Sequence, residues 1–356
     1  MGELKFHRRS GHSPTPSARV VDDRRCRQIG RHPLRLPALL LVAALHSTWA
    51  LALQPVPTAV IADPPPDAKF PARMEAIHVP SGGVQINGVV YVASGQGPHP
   101  AFVLFHGLPG NEKNLDLAQA VRRAGWTVVT VNYRGSWGSP GNFRFAQNLE
   151  DADATLAFIR SPENARRLSI DVNRIAICGH SMGGWVTAET LAHEPRVLGA
   201  AVISAADVGA IGQLDRGAVI ALMDNNRESL AGVTGESMAD EVMSHGKDWS
   251  FKTLAPQLIH RKLLVLYSND FFKPGSLELI KDVKAAGGKM ISEKYVVTDH
   301  SWSDHRIALE SLIIGWLRGL HGPSGPGIPR RGPMAPKSRA RQWNQVPAST
   351  RAAAIA

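Results

Sequence analysis

Between Met74 and His321 the chain alternates short runs of apolar, β-branched residues with stretches whose apolar positions recur every three or four residues. Runs of the first kind suit strands buried on both faces, and stretches of the second kind suit amphipathic helices. Strands are expected at Glu75 to His78, Val84 to Ala93, Ala101 to His106, Trp126 to Tyr133, Arg174 to Cys178, Leu198 to Ser204, Leu263 to Tyr267 and Met290 to Val297, the first two as an antiparallel opening pair. Helices are expected at Leu115 to Ala124, Asn148 to Ile159, Met182 to Ala192, Leu277 to Ala286 and Asp304 to Leu320. The last has Ser303 placed as its N-cap, with Ile307, Leu312, Ile314 and Leu317 as apolar positions. The alternation predicts an α/β domain: a mostly parallel, eight-stranded sheet with helices on both faces.

Roughly sixty residues separate the strand ending at Ser204 from the one starting at Leu263, more than one crossover needs. A small helical cap over about residues 207 to 260 is the expected content. Its Met223, Met238, Met243 and Trp249 either line a pocket or pack the cap onto the body.

Outside this body the pattern changes. Arg31 to Ala52 reads RHPLRLPALLLVAALHSTWALA, a basic start followed by an apolar run too short for a stable membrane span and ending in small residues. That order is a secretory signal, so residues 1 to 52 are expected to be removed after Ala52 and the protein exported; an N-terminal membrane anchor is the alternative. Residues 53 to 73 are proline-rich and are expected to be an extended linker. The globular domain then covers 74 to 321, and 322 to 356 is expected to be a disordered basic tail.

With 44% hydrophobic and 20% charged residues, the composition is that of a globular protein. The net charge of +10 does not sit on the body. Residues 1 to 52 hold nine Lys/Arg against three Asp/Glu and residues 322 to 356 hold six against none, leaving −2 between them. A slightly acidic body with basic ends argues against a nucleic-acid partner. Of the two cysteines, Cys26 lies in the extension and Cys178 at a buried strand end; no disulfide is expected, and Cys178 reads as an apolar core residue.

Gly179-His180-Ser181-Met182-Gly183-Gly184 follows a buried strand and precedes a helix. A serine between glycines at a sharp strand-to-helix turn is held exposed for attack, and the helix N-terminus faces the same point. A serine hydroxyl needs a base to take its proton and a third group to hold that base. In a sheet of this order the acid follows the next-to-last strand and the base follows the last. Those positions hold Asp270 and His300, with Asp207 the alternative acid, His305 the alternative base and Asp299 a loop-capping residue. The oxyanion of the tetrahedral intermediate requires donors, expected from the N–H groups of Met182 and of Leu108 in Phe105-His106-Gly107-Leu108-Pro109-Gly110, a loop that His106 props. Tyr133 to Gly141 is glycine-rich but lacks the lysine and helix of a phosphate loop, so no nucleotide is assigned. No CxxC or HExxH pattern occurs, and neither a metal nor a cofactor is implied.

The segments HGLPG, NYRGSWGSPG, DVNRIAICGHSMGGW, LLVLYSND and DHSWSDHR occur in an order that resembles the α/β-hydrolase superfamily, over about Val79 to Leu320. Asn132 to Trp185 is similar to the catalytic domain of prolyl-oligopeptidase-like and serine aminopeptidase-like members. The resemblance implies the α/β-hydrolase fold and the triad Ser181, Asp270 and His300. No N-terminal propeller of the kind that selects short peptides in the first group is expected, and GHSMGG is shared with esterases and lipases. Hydrolysis of a carboxylic ester through an acyl-enzyme is therefore the expected activity, with an exported aminopeptidase or dipeptidyl-peptidase-like serine peptidase as the alternative and a non-catalytic binding protein on this fold behind it. The expected partner is a small-molecule ester or short peptide, with no stable membrane partner once the N-terminal segment is cleaved.

Overall fold

The computed structural model describes residues 55–320. The expected signal segment, Cys26 and the basic tail lie outside the described residues. The first element is α1 (Thr58–Ile61), a single turn in the segment expected to be an extended linker. Its Ala59 and Val60 pack on the body, and Arg123 Nε donates to the Ala59 carbonyl at 2.5 Å. Prolines exclude ladder pairing here but leave room for one docked turn between them.

The sheet is built from β1 (Arg73–Ser81), β2 (Val84–Val92), β3 (His99–Phe105), β4 (Thr127–Val131), β5 (Ile170–His180), β6 (Val197–Ile203), β7 (Leu263–Tyr267) and β8 (Ile291–Tyr295), in the order β1-β2-β4-β3-β5-β6-β7-β8. β2 runs antiparallel to both β1 and β4, and every other pairing is parallel. The β1–β2 hairpin turns on Gly82 and Gly83, at φ 54° and 83°, values that suit a two-residue turn of glycines. Every residue of β3 is buried, as its continuous apolar run requires.

Helices α2 (Leu115–Arg123), α3 (Phe145–Arg160), α4 (Pro162–Arg167) and α5 (Met182–His193) fill the first crossovers, α10 (Lys273–Ala285) fills the last, and α11 (Arg306–Leu320) follows β8. Leu117 and Val121 of α2 share one core with Leu309 and Leu317 of α11. Leu156 of α3, Trp185 of α5 and Leu279 of α10 share a second core on the opposite face. α4 was not expected, although Ser161 caps it by accepting from Asn164 N and Pro162 opens it. Ser303 does not cap α11, which begins at Arg306; the intervening residues form a turn in which Ser303 N donates to Asp299 Oδ1 at 2.8 Å.

The long connection from β6 to β7 folds into α6 (Val208–Ile211), α7 (Arg216–Asp224), α8 (Gly235–Ser244), α9 (Phe251–Leu254) and a 3-10 turn (Ala255–Leu258). Met223 and Met238 are buried, and Trp249 lies 5.0 Å from the Trp185 ring. These side chains pack the insertion onto the body, while Met243 stays half-buried. Among the described residues no helix is long and apolar enough to cross a membrane.

Candidate active site

Ser181 stands between β5 and α5 at φ 57°, ψ −122°, a left-handed backbone that costs energy for any residue with a Cβ. The surroundings hold it there. A Cβ on Gly179 would come within 1.9 Å of the Gly183 carbonyl oxygen, and one on Gly183 within 2.3 Å of the Phe105 carbonyl oxygen. Ser181 N donates to the Ile203 carbonyl at 2.9 Å, and the Ser181 carbonyl accepts from Ala206 N at 3.0 Å. The strained residue is thus clipped on both sides to the end of β6.

The loops after β7 and β8 bring Asp270 and His300 together. Asp270 Oδ2 accepts from His300 Nδ1 at 2.8 Å, and Asp270 Oδ1 accepts from Phe272 N at 2.9 Å. A carboxylate accepts, so Nδ1 carries a proton, and in the neutral ring the lone pair is then on Nε2. Burial pushes the Asp270 carboxyl up, but hydrogen bonds from His300 and Ser268, with the nearby His300 ring, outweigh it and hold the group below the usual carboxylate range. His180, beside the serine, donates from Nε2 to the His300 carbonyl at 2.9 Å, with the two rings 4.6 Å apart. Burial, aided by nearby His300, pulls His180 down to about 3, so it stays neutral and serves as a donor. The Phe272 ring lies 5.1 Å from the His300 ring.

Among the described residues no hydrogen bond joins Ser181 Oγ to the His300 ring. That contact commonly tightens only when a substrate fills the site.

The turn after β3 faces the serine from the other side. A Cβ on Gly107 would meet Ser181 Cβ at 2.9 Å, so glycine is what allows the approach. The N–H groups of Leu108 and Met182 donate to no protein acceptor among the described residues, which leaves both free for a ligand oxygen. His106 Nδ1 donates to the Gly107 carbonyl at 2.8 Å, and its ring packs 4.7 Å from Tyr133. Burial lowers His106 to about 4, which keeps it uncharged beneath the turn. Farther along the turn, the Pro109 carbonyl accepts from Trp137 Nε1 at 2.6 Å and from Ser229 Oγ at 3.1 Å.

The sequence from 102 to 272 matches the model of the Alpha/beta hydrolase family. The fold is the α/β-hydrolase fold, and the stretch that matches the family carries its strand-to-helix serine turn. Its fold is similar to that of a lipase in its open form, with a TM-score of 0.57 and 13% identity over 70% of this chain and 100% of that one. A thermophilic carboxylesterase cloned from a metagenomic library aligns with a TM-score of 0.53 and 20% identity over 75% of this chain and 93% of that one. The acylaminoacyl peptidase of Pyrococcus horikoshii aligns with a TM-score of 0.53 and 18% identity over 69% of this chain, which spans 41% of the peptidase's length. No curated protein matches the sequence.

On this fold the remaining candidates have other partners. His305 Nδ1 is bonded to Asp304 at 2.8 Å. Asp207 accepts from Ala210 N at 2.9 Å as the N-cap of α6 and from Phe251 N at 3.1 Å. Asp299 caps the turn at Ser303. Sequence reasoning assigned no part to His180, Trp137, Ser204, Ser268 or Trp302, whose roles depend on contacts across different strand ends.

Proposed function

We propose that this α/β-hydrolase is a serine hydrolase that cleaves carboxylic esters, with Ser181 as nucleophile, His300 as general base and acid, and Asp270 as the group that orients His300. The observation that carries the reading is a strained serine at a strand-to-helix turn, its neighbour His180 bonded to the loop of a histidine already paired with a carboxylate. In acylation, Ser181 Oγ bonds to the ester carbonyl carbon as its proton passes to His300 Nε2. The carbonyl oxygen becomes an oxyanion held by the N–H groups of Leu108 and Met182. Collapse breaks the bond to the alkoxy oxygen, which takes the proton from His300 and leaves as an alcohol. Water then attacks the acyl carbon, gives a proton to His300, and the acid departs as Ser181 recovers its own.

The apolar rim supports an uncharged ester. Phe271, next to the acid, is 71% exposed, and Phe272 faces His300.

The test is labelling of the purified protein with a fluorophosphonate, alongside Ser181→Ala, followed by p-nitrophenyl ester and aminoacyl p-nitroanilide assays. Labelling and ester turnover are expected in the wild type and absent in the variant. Turnover of the anilide in preference to the ester replaces this reading with a serine peptidase. A folded wild type that does not label overturns it. Export is proposed on residues 31 to 52 alone, and N-terminal sequencing of protein from the culture medium or periplasm is expected to begin at Leu53.

A further inference from the structure

Behind the acid lies a line of buried hydroxyls that the chemistry above does not use. Ser268 Oγ donates to Asp270 Oδ2 at 2.7 Å, the same oxygen that accepts from His300. Ser268 Oγ and Ser204 Oγ are 2.8 Å apart, and Trp302 Nε1 donates to Ser204 Oγ at 3.1 Å. Each hydroxyl has one hydrogen, and an indole N–H only donates. Since the Ser268 hydrogen goes to Asp270, Ser204 supplies the hydrogen between the two serines, and Trp302 fills the Ser204 acceptor site. Every hydrogen in the line therefore points toward the carboxylate.

The three residues come from the ends of three neighbouring strands. Ser204 follows β6, Ser268 follows β7, and Trp302 lies in the turn after β8 that carries His300. All three are buried. Ser204 and Trp302 both hold left-handed backbone, at φ 43° and 59°, which is costly for a tryptophan and persists only where the surroundings fix it. Ser204 also sits between the two residues clipped to the nucleophile, Ile203 and Ala206.

We infer that Ser268, Ser204 and Trp302 are positioning residues that fix the Asp270 carboxylate in register with the Ser181 turn. The inference rests on the hydrolase reading. Ser268 holds one carboxylate oxygen in place for His300 Nδ1, Ser204 ties that contact to the strand end clipped to Ser181, and Trp302 links both to the His300 loop. Ser204 also counts among the groups that hold the Asp270 carboxyl low.

The experiment compares Ser268→Ala, Ser204→Ala and Trp302→Phe in the full-length protein, each in the wild-type and in an Asp270→Asn background. Turnover of a p-nitrophenyl ester and the rate of fluorophosphonate labelling are the readouts. Ser268→Ala is expected to lower kcat about tenfold with KM within twofold, the scale of one hydrogen bond to a charged group. Ser204→Ala and Trp302→Phe are expected to lower kcat less, about threefold. In the Asp270→Asn background all three are expected to leave the labelling rate unchanged, because they act only through that carboxylate. A kcat for Ser268→Ala within twofold of wild type overturns the inference. So does an equal loss in the Asp270→Asn background, which marks general loosening of the fold. A folded wild type that neither labels nor turns over defeats the hydrolase reading itself, a different result from an active wild type that is indifferent to Ser268.

Discussion

Trp137 Nε1 donates to the carbonyl of Pro109 across 2.6 Å, tying the glycine-rich loop after β4 to the turn that presents the Leu108 N–H. The indole is held in turn: Lys113 Nζ lies 4.3 Å from its ring, and Trp137 N donates to the Ser229 carbonyl at 3.1 Å. A donor that stabilises an oxyanion works only if it is fixed before charge develops. Trp137→Phe, which keeps an aromatic face and removes the N–H, is expected to lower kcat about fivefold on a p-nitrophenyl ester with KM within twofold, the scale of one neutral hydrogen bond.

The turn at Ser181 has no room for methyl groups. Gly179→Ala and Gly183→Ala each drive a Cβ into backbone and are expected to destabilise the fold by about 3 kcal/mol, measured by urea unfolding. Gly315 in α11 has nothing within 4 Å of an added Cβ, so Gly315→Ala is expected to stabilise by about 1 kcal/mol. Equal effects at all three positions contradict the steric account.

Asp151 is buried beneath the same glycine-rich loop, accepting from Arg134 Nε at 2.7 Å, from Arg134 N at 2.8 Å and from Ser81 Oγ at 2.5 Å. Asp151→Asn removes the buried one of the two carboxylates that compensate the Arg134 guanidinium, the other being the exposed Glu150. A loss of about 3 kcal/mol is expected, read from the shift in urea midpoint.

His106 carries a pH signature. Its value in the folded protein, about 4, is below that of the unfolded chain, so only the unfolded state takes up a proton between pH 6.5 and pH 4. This residue therefore stabilises the fold above that window, and its contribution is lost as pH falls through it. His106→Gln is expected to lose about 2 kcal/mol less than wild type between pH 7 and pH 5, measured as the difference in urea unfolding at the two values.

Strands β3 to β7 were legible because each contains a short apolar run between turn residues, buried on both faces, whereas the edge strands β1 and β8 are largely exposed and are marked only by their place in the alternation. The strand-end positions of Ser181, Asp270 and His300 were legible because each directly follows a strand or lies in a short loop after one, so chain order fixed their places. The turn of α1 in the proline-rich segment was not, since docking on α2 rather than intrinsic propensity holds it. The start of α11 was misplaced because Asp299 captures the Ser303 N–H and forms a turn, a competition between two local hydrogen bonds that composition does not rank. The Trp302–Ser204–Ser268 line was invisible for a different reason. Ser204 and Trp302 are 98 residues apart, and nothing local marks a serine whose partner arrives from another strand.

Asp207 has a further consequence through its two oxygens. One caps α6 and the other accepts from Phe251 N, 44 residues later, so the beginning and end of the helical insertion are fastened together at a narrow neck. A loop whose ends are already joined adds little closure entropy when its contents change in length. The segment between Ala210 and Asp248 therefore behaves as an exchangeable module: evolution, or a designer, can swap it while the sheet and its three strand-end loops keep their registration. The restriction is local, because a replacement must still offer Pro109 a donor where Ser229 stands.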